Sequence, residues 1–348
     1  MRELIPKIYA ALYNGQPVVL AAIVSHRGST PRSAGASMVI HQDGAIVGTI
    51  GGGRVEGVVI EDALSLYKSK QAIFARYDLT RAGDMDLVCG GEMQVVIEYL
   101  APTPENSAMF CRMQEGLSEG HACLWLGKMT AGGKGWTIER AVCTAKSTWQ
   151  GSLNVESPLA NRLSEFVDPH EASTLVEYAG DRYLLTRITP FETVCLMGGG
   201  HVSQEIARLS RQVDFRTLVF DDRAEFANTE KFPNVDQVFI CDDFATLCDV
   251  FEIPAGSYIV IVTRGHRHDK EVLAQALRCN AAYIGMIGSR TKRENVYREL
   301  LAEGFTKTEL QQVHCPIGLS IDAETPAEIA VSVVAELIQH RAKRKQHD

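Results

Sequence analysis

The chain has 348 residues, 45% of them hydrophobic and 22% charged, with a net charge of −8. At about 150 residues per domain the length suggests two domains, and the acidic balance excludes non-specific binding to nucleic acid or an anionic membrane, which needs a basic face. No apolar run nears the roughly 18 residues that span a bilayer, the N-terminus lacks a signal-peptide core, and nine scattered cysteines without Cys-x-x-Cys fit reduced thiols, so a cytoplasmic protein is expected.

Residues 1 to about 100 read as mixed α/β. Strand-like runs lie at 18–25, 38–41, 46–51 and 93–100. Between them, Val58, Val59, Asp62, Ala63 and Leu66 at helical spacing predict a helix over 55–67. A break follows at Ala101-Pro102-Thr103-Pro104. Residues 105–190 show a short helix and alternating runs near 122–126 and 174–178, read as an extension of the first sheet. Ile188-Thr189-Pro190 reads as a linker, giving domains 1–189 and 190–348. Beyond it, apolar runs at 194–197, 217–220, 235–240, 258–262 and 283–287 alternate with helical patterns. Runs without period-2 alternation are those of strands buried on both faces, so the expected C-terminal fold is a Rossmann-like, doubly wound parallel sheet. The basic tail Arg341-Ala342-Lys343-Arg344-Lys345 reads as a solvated helix end.

In such sheets ligands sit beyond the carboxyl ends of the strands. The first strand ends in Gly198-Gly199-Gly200-His201-Val202-Ser203, where glycines admit a phosphate and the helix start offers free N–H groups. Ser203 replaces the third glycine of a dinucleotide turn. About 20 residues later, where such folds keep a ribose-binding carboxylate, stand Asp221 and Asp222, followed by Arg223. Asp221 could equally cap a turn. Thr263-Arg264-Gly265-His266-Arg267-His268-Asp269 follows the fourth strand, and Gly288-Ser289-Arg290-Thr291-Lys292-Arg293 the fifth. Two arginines and a lysine converging there would make an anion pocket, or a solvated helix face. His266 and His268 could chelate a metal or hydrogen-bond neighbouring loops. His314-Cys315-Pro316-Ile317-Gly318 adds a histidine and a thiol before the final helix.

The N-terminal half has its own signals. Ser25-His26-Arg27-Gly28-Ser29-Thr30-Pro31-Arg32-Ser33-Ala34-Gly35 is a loop rich in glycine and hydroxyls. Ile50-Gly51-Gly52-Gly53-Arg54 leads into a helix whose start carries Glu56, and Cys89-Gly90-Gly91-Glu92 sets a thiol against two glycines before a strand. A cysteine so framed, near Arg27, Arg32 or Arg54, would ionise readily and could ligate metal or relay sulfur. It could also be a small buried residue.

These motifs together resemble the XdhC/CoxI family of accessory proteins for molybdenum hydroxylases such as xanthine dehydrogenase. The resemblance rests on Gly28-Ser29-Thr30-Pro31-Arg32, Gly51-Gly52-Gly53-Arg54-Val55-Glu56, Cys89-Gly90-Gly91-Glu92-Met93 and Gly198-Gly199-Gly200-His201-Val202. It extends through Asp221-Asp222-Arg223-Ala224-Glu225-Phe226, Tyr283-Ile284-Gly285-Met286-Ile287-Gly288-Ser289 and Pro316-Ile317-Gly318-Leu319, and leaves about 105–190 unmatched.

The resemblance implies a dimeric chaperone that binds molybdopterin (the molybdenum cofactor), protects it during sulfuration by a cysteine desulfurase, and delivers it to an apo-hydroxylase. On that reading the Gly198–Gly200 turn takes the phosphate, Asp221 a ribose if the cofactor carries a nucleotide, and Cys89 faces the molybdenum. Arg32, Arg54 and Arg290 neutralise charge. The second class is an NAD(P)-dependent oxidoreductase with His266 or His201 as acid/base. A weaker third is sulfur or nucleotidyl transfer through Cys89.

Overall fold

The structure is a computed structural model. It describes the chain except residues 80–90, 134, 145–147, 165, 167–171 and 345–348, and the side chains at 157, 158, 164, 266 and 267. The chain divides into two compact units, Met1–Pro190 and Phe191–Asp348.

The first unit begins with α1 (Ile5–Tyr13), β1 (Val18–Arg27), β2 (Ser37–Ile40), β3 (Ile46–Gly48), α2 (Gly53–Ser69), β4 (Ile73–Asp78) and β5 (Glu92–Leu100). The strands pair antiparallel in the order β3-β2-β1-β5-β4. Side chains alternate between the faces of a strand, and β1 covers both. Val19, Ala21 and Ile23 pack with Val55, Val59, Ala63 and Leu66 of α2. On the other face Val18 and Leu20 pack with Ile8 and Leu12 of α1 and with Phe110 and Met113 of α3 (Pro104–Ser118).

Residues 105–190 do not extend this sheet. After α3 they form a second antiparallel sheet from β6 (Cys123–Gly132), β7 (Gly135–Cys143), β8 (Trp149–Gly151), β9 (Ser173–Tyr178) and β10 (Asp181–Ile188), in the order β8-β7-β6-β10-β9. The physical reason is that the even-numbered face of β1 is itself apolar and needs a cover. Val24 and Val96 meet Met129 and Leu184 of the second sheet. Inside this layer Arg140 of β7 donates to Glu98 of β5 through Nε (3.1 Å) and Nη2 (2.6 Å), with both residues about 5% exposed or less. The guanidinium lies 4.0 Å over the Trp125 ring. Gly127 leaves room for it, since a Cβ there would stand 2.3 Å from Arg140 Nη1. Leu163 of α4 (Ser157–Ser164) joins Leu126, Val176 and Leu185 on the far side of the second sheet.

The second unit runs β11 (Glu192–Met197), α5 (His201–Gln212), β12 (Phe215–Asp221), β13 (Gln237–Ile240), α6 (Leu247–Val250), β14 (Tyr258–Ile261) and α7 (Gly265–Ala276). It continues with β15 (Tyr283–Met286), α8 (Arg290–Ala302), α9 (Lys307–Gln311), β16 (Val313–His314) and α10 (Pro326–Arg344). All six strands are parallel, in the order β13-β12-β11-β14-β15-β16. Val194 and Leu196 face Ile206 of α5 and Val333 of α10, while Cys195 and Met197 face Val272 and Leu273 of α7. The fold is thus α/β with a Rossmann-like sheet. Its strand order, 3-2-1-4-5-6 in sequence terms, reverses between β11 and β14, which opens a crevice at their carboxyl ends. Among the described residues no helix is long and apolar enough to cross a membrane.

Candidate functional site

In the second unit, β11 ends in a turn that only glycine can build. Gly198 has φ 116°, and a Cβ on it would stand 2.5 Å from the Val262 carbonyl oxygen. A Cβ on Gly199 would meet Phe226 O at 3.0 Å. Gly200 caps α5, and a Cβ there would meet nothing within 4 Å, so open space lies before the helix N-terminus. His201 is exposed and Val202 half-buried. Ser203 is fully buried and donates its hydroxyl to Gly198 O, so the serine in place of the third glycine closes the turn from within.

Asp221, at the end of β12, is 1% exposed. Its Oδ2 accepts from Gly199 N at 2.7 Å, and its Oδ1 accepts from Arg223 N (3.0 Å) and Arg223 Nε (2.9 Å). Burial works to raise its pKa, but the Arg223 guanidinium and the Gly199 N–H outweigh that and hold it below the usual aspartate range. The carboxylate assigned in sequence to a ribose is therefore engaged in fixing the glycine turn. Arg223 also lies 3.7 Å over the Phe226 ring. Asp222 pairs with Arg264 at 2.8 Å. Since β12 and β14 flank β11, this ion pair spans the crevice.

The cations expected to converge here are mostly partnered. Asp269, 0% exposed, accepts from Thr263 Oγ1 at 2.6 Å and is ion-paired with Lys292. Lys292 folds over Gly288, where a Cβ would stand 2.7 Å from its Cδ. Ser289 caps α8, accepting from Lys292 N at 3.2 Å. Arg293 donates to Cys315 O at 3.0 Å. Arg290 is exposed. His314 lies against Glu336, Nδ1 to Oε1 2.8 Å, and burial pushes the Cys315 thiol up to about 11. His268 pairs with Glu271 at 3.2 Å, and the His266 side chain lies outside the described residues.

In the first unit three sequence motifs meet. A Cβ on Gly51 would stand 2.6 Å from Pro31 Cβ, and one on Gly91 2.3 Å from Ser29 O and 2.7 Å from Arg27 O. The Gly28–Arg32 loop thus wedges between the other two motifs. Register pairing of Arg27 with Glu92 holds the arrangement. Glu56 fixes the glycine turn, accepting from Thr49 Oγ1 (2.6 Å), Ile50 N (3.1 Å) and Gly52 N (3.1 Å). Burial works to raise its pKa, yet these donors hold it below the usual glutamate range. Ala34 N donates to His26 Nδ1 at 3.2 Å. Arg27, Arg32, Gly53 and Arg54 are exposed, Gly52 half-buried. Cys89 lies outside the described residues, two positions before Gly91.

Sequence reasoning missed Asp269 as an internal counter-charge, and it missed Asp243 and Glu271. His268-x-x-Glu271 at one-turn spacing was the available signal for the last.

The family described as the XdhC Rossmann domain matches residues 194–337, and the XdhC and CoxI family matches residues 11–78. The chain is 29% identical over 343 residues to a protein of Bacillus subtilis named as a probable xanthine dehydrogenase subunit, covering 96% of each. It is 21% identical to the molybdenum cofactor insertion chaperone PaoD of Escherichia coli, over 97% of this chain and 87% of PaoD. It is also 27% identical to E. coli YqeB over 93% of its own length, but spans only 43% of that protein. A crystal structure described as a xanthine dehydrogenase from Bacillus halodurans superposes with a TM-score of 0.81 at 26% identity, covering 98% of this chain and 97% of the other. With both of its halves matched in order, the chain belongs to the XdhC and CoxI family.

Proposed function

We propose that this protein is an accessory factor that binds the molybdenum cofactor as cargo, shields it during sulfuration by a cysteine desulfurase, and hands it to an apo-hydroxylase of the xanthine dehydrogenase type. The observation that carries the reading is the meeting of the Gly28–Arg32 loop, the Gly51 turn and Gly91 at one edge of the first sheet. That edge offers the exposed residues Arg27, Arg32 and Arg54 to an anionic cargo, and two positions before Gly91 in sequence stands Cys89, whose thiolate would be the soft donor that molybdenum takes. The relatives named for xanthine dehydrogenase and for cofactor insertion support the same reading. In the second unit the space before Gly200 suits a phosphate, with Arg290 exposed just after β15 of the same sheet. Family membership favours a homodimer acting without turnover of its own.

One observation favours a second reading, an NAD(P)-dependent oxidoreductase: the strand order and glycine turn of the second unit are those of dinucleotide-binding sheets. Against it stands Asp221, whose oxygens are engaged by Gly199 and Arg223.

The test is to load the full chain with molybdenum cofactor anaerobically and measure retained molybdenum and pterin after gel filtration. Wild type should retain both, while Cys89→Ala and Arg32→Ala/Arg54→Ala should lose them. Undiminished loading of all variants overturns the reading, and reduction of NAD(P) with turnover would favour the second.

A further inference from the structure

We propose that Asp243, His268 and Glu271 form a binding site for a first-row divalent transition ion, independent of the molybdenum cargo. One donor atom from each lies within 4.8 Å of the other two.

The arrangement follows from local structure. His268 and Glu271 are three residues apart on α7, so both project from one helix face. The segment after β13 brings the third donor. Asp243 caps the short 3-10 helix Phe244–Thr246, its Oδ1 accepting from Ala245 N at 3.0 Å. Gln275, one turn beyond Glu271, clamps that segment down: its Nε2 donates to Phe244 O (2.5 Å) and its Oε1 accepts from Cys248 N (2.9 Å). The His268 ring packs against Phe244, centroids 5.4 Å apart. These bonds and the ring contact hold the Asp243 segment against α7 beside His268 before any ion arrives, the preorganisation a metal site needs.

The donor chemistry selects the ion. One imidazole with two carboxylates suits Zn²⁺, Mn²⁺, Co²⁺ or Fe²⁺, whereas Mg²⁺ and Ca²⁺ take oxygen donors alone. Metal–ligand bonds of about 2.0–2.2 Å set donor–donor spacings of roughly 3–3.5 Å. His268 Nδ1 and Glu271 Oε2 already stand 3.2 Å apart. Asp243 is exposed and gives the ion access. Three protein donors leave coordination positions for water or a substrate group, the pattern of an open site.

The experiment is a titration of chelator-treated, full-length protein with Zn²⁺ and Mn²⁺ by calorimetry, and with Co²⁺ by visible absorption. One equivalent should bind saturably, with ligand-field bands for Co²⁺. Asp243→Asn, His268→Gln and Glu271→Gln should each weaken binding by about tenfold or more, with melting curves of the unliganded variants confirming the fold. The exposed Asp243→Asn tests the site even where a helix variant fails to fold. His121→Ala, in the other unit, should bind as wild type. The proposal is overturned by the absence of saturable binding, or by one equivalent bound undiminished in Asp243→Asn and in the folded helix variants. Cys89→Ala should leave the titration unchanged, which separates this result from failure of the cofactor-chaperone reading.

Discussion

The carboxylate of Asp221 takes the backbone N–H of Gly199 at 2.7 Å, so the strand that ends in an acid also holds shut the turn beside it. The same carboxylate receives the Arg223 guanidinium at 2.9 Å. Asp221→Asn keeps the shape but loses the charge, and should lower unfolding free energy by about 1.5–3 kcal/mol at neutral pH. The pH dependence has a definite sign. The folded-state pKa lies below the unfolded value of about 3.9, so the stabilisation is complete well above pH 4 and fades as pH falls through the folded value. Urea denaturation of both proteins at pH 7 and pH 3 checks this. A difference that grows on acidification contradicts it.

The Glu98–Arg140 pair predicts a non-additive cycle. Arg140→Met alone strands a buried carboxylate and should cost about 3–5 kcal/mol. Glu98→Leu with Arg140→Met replaces both charges by apolar groups of similar volume and should recover much of that loss. Denaturant midpoints of the four proteins decide it, and a double variant as unstable as the sum of the singles refutes it.

Two neighbouring glycines should separate folding from binding. Gly198→Ala forces a side chain into positive φ and onto Val262 O, and should destabilise by about 2–4 kcal/mol. Gly200→Ala has ordinary backbone angles and open space, so stability should stay within about 0.5 kcal/mol. Its methyl group protrudes into the proposed phosphate position, and pyrophosphate binding by calorimetry should weaken by about tenfold. Equal effects of the two substitutions on stability would be inconsistent with this geometry.

What sequence could reveal differed between elements for physical reasons. Strands β11, β12, β14 and β15 were legible because a parallel strand covered on both faces leaves an unbroken apolar run. Strand β16 has two residues and leaves no pattern. Residues 105–190 betrayed strands through alternation, but alternation does not say which sheet a strand joins. That choice depended on the apolar even face of β1, which Met129 and Leu184 cover. The glycine turns were legible because few other residues allow them. The partners of Asp221, Asp269 and Glu98 were not, since Gly199, Lys292 and Arg140 lie 22, 23 and 42 residues away and meet them only in the fold. Lys292 and Arg293 therefore read as free cations although one serves Asp269 and the other Cys315 O.

If the crevice takes the proposed anionic tail, the Arg264–Asp222 clasp sets an admission rule for it. A visitor gains little by being merely negative, because Arg264 already has a carboxylate at 2.8 Å. It must outcompete that oxygen with several of its own, as a phosphate ester or pyrophosphate does through paired contacts to a guanidinium. Neutral metabolites leave the clasp fastened. On the proposed reading, a polyanionic tail would thus be selected before any base or ring is read.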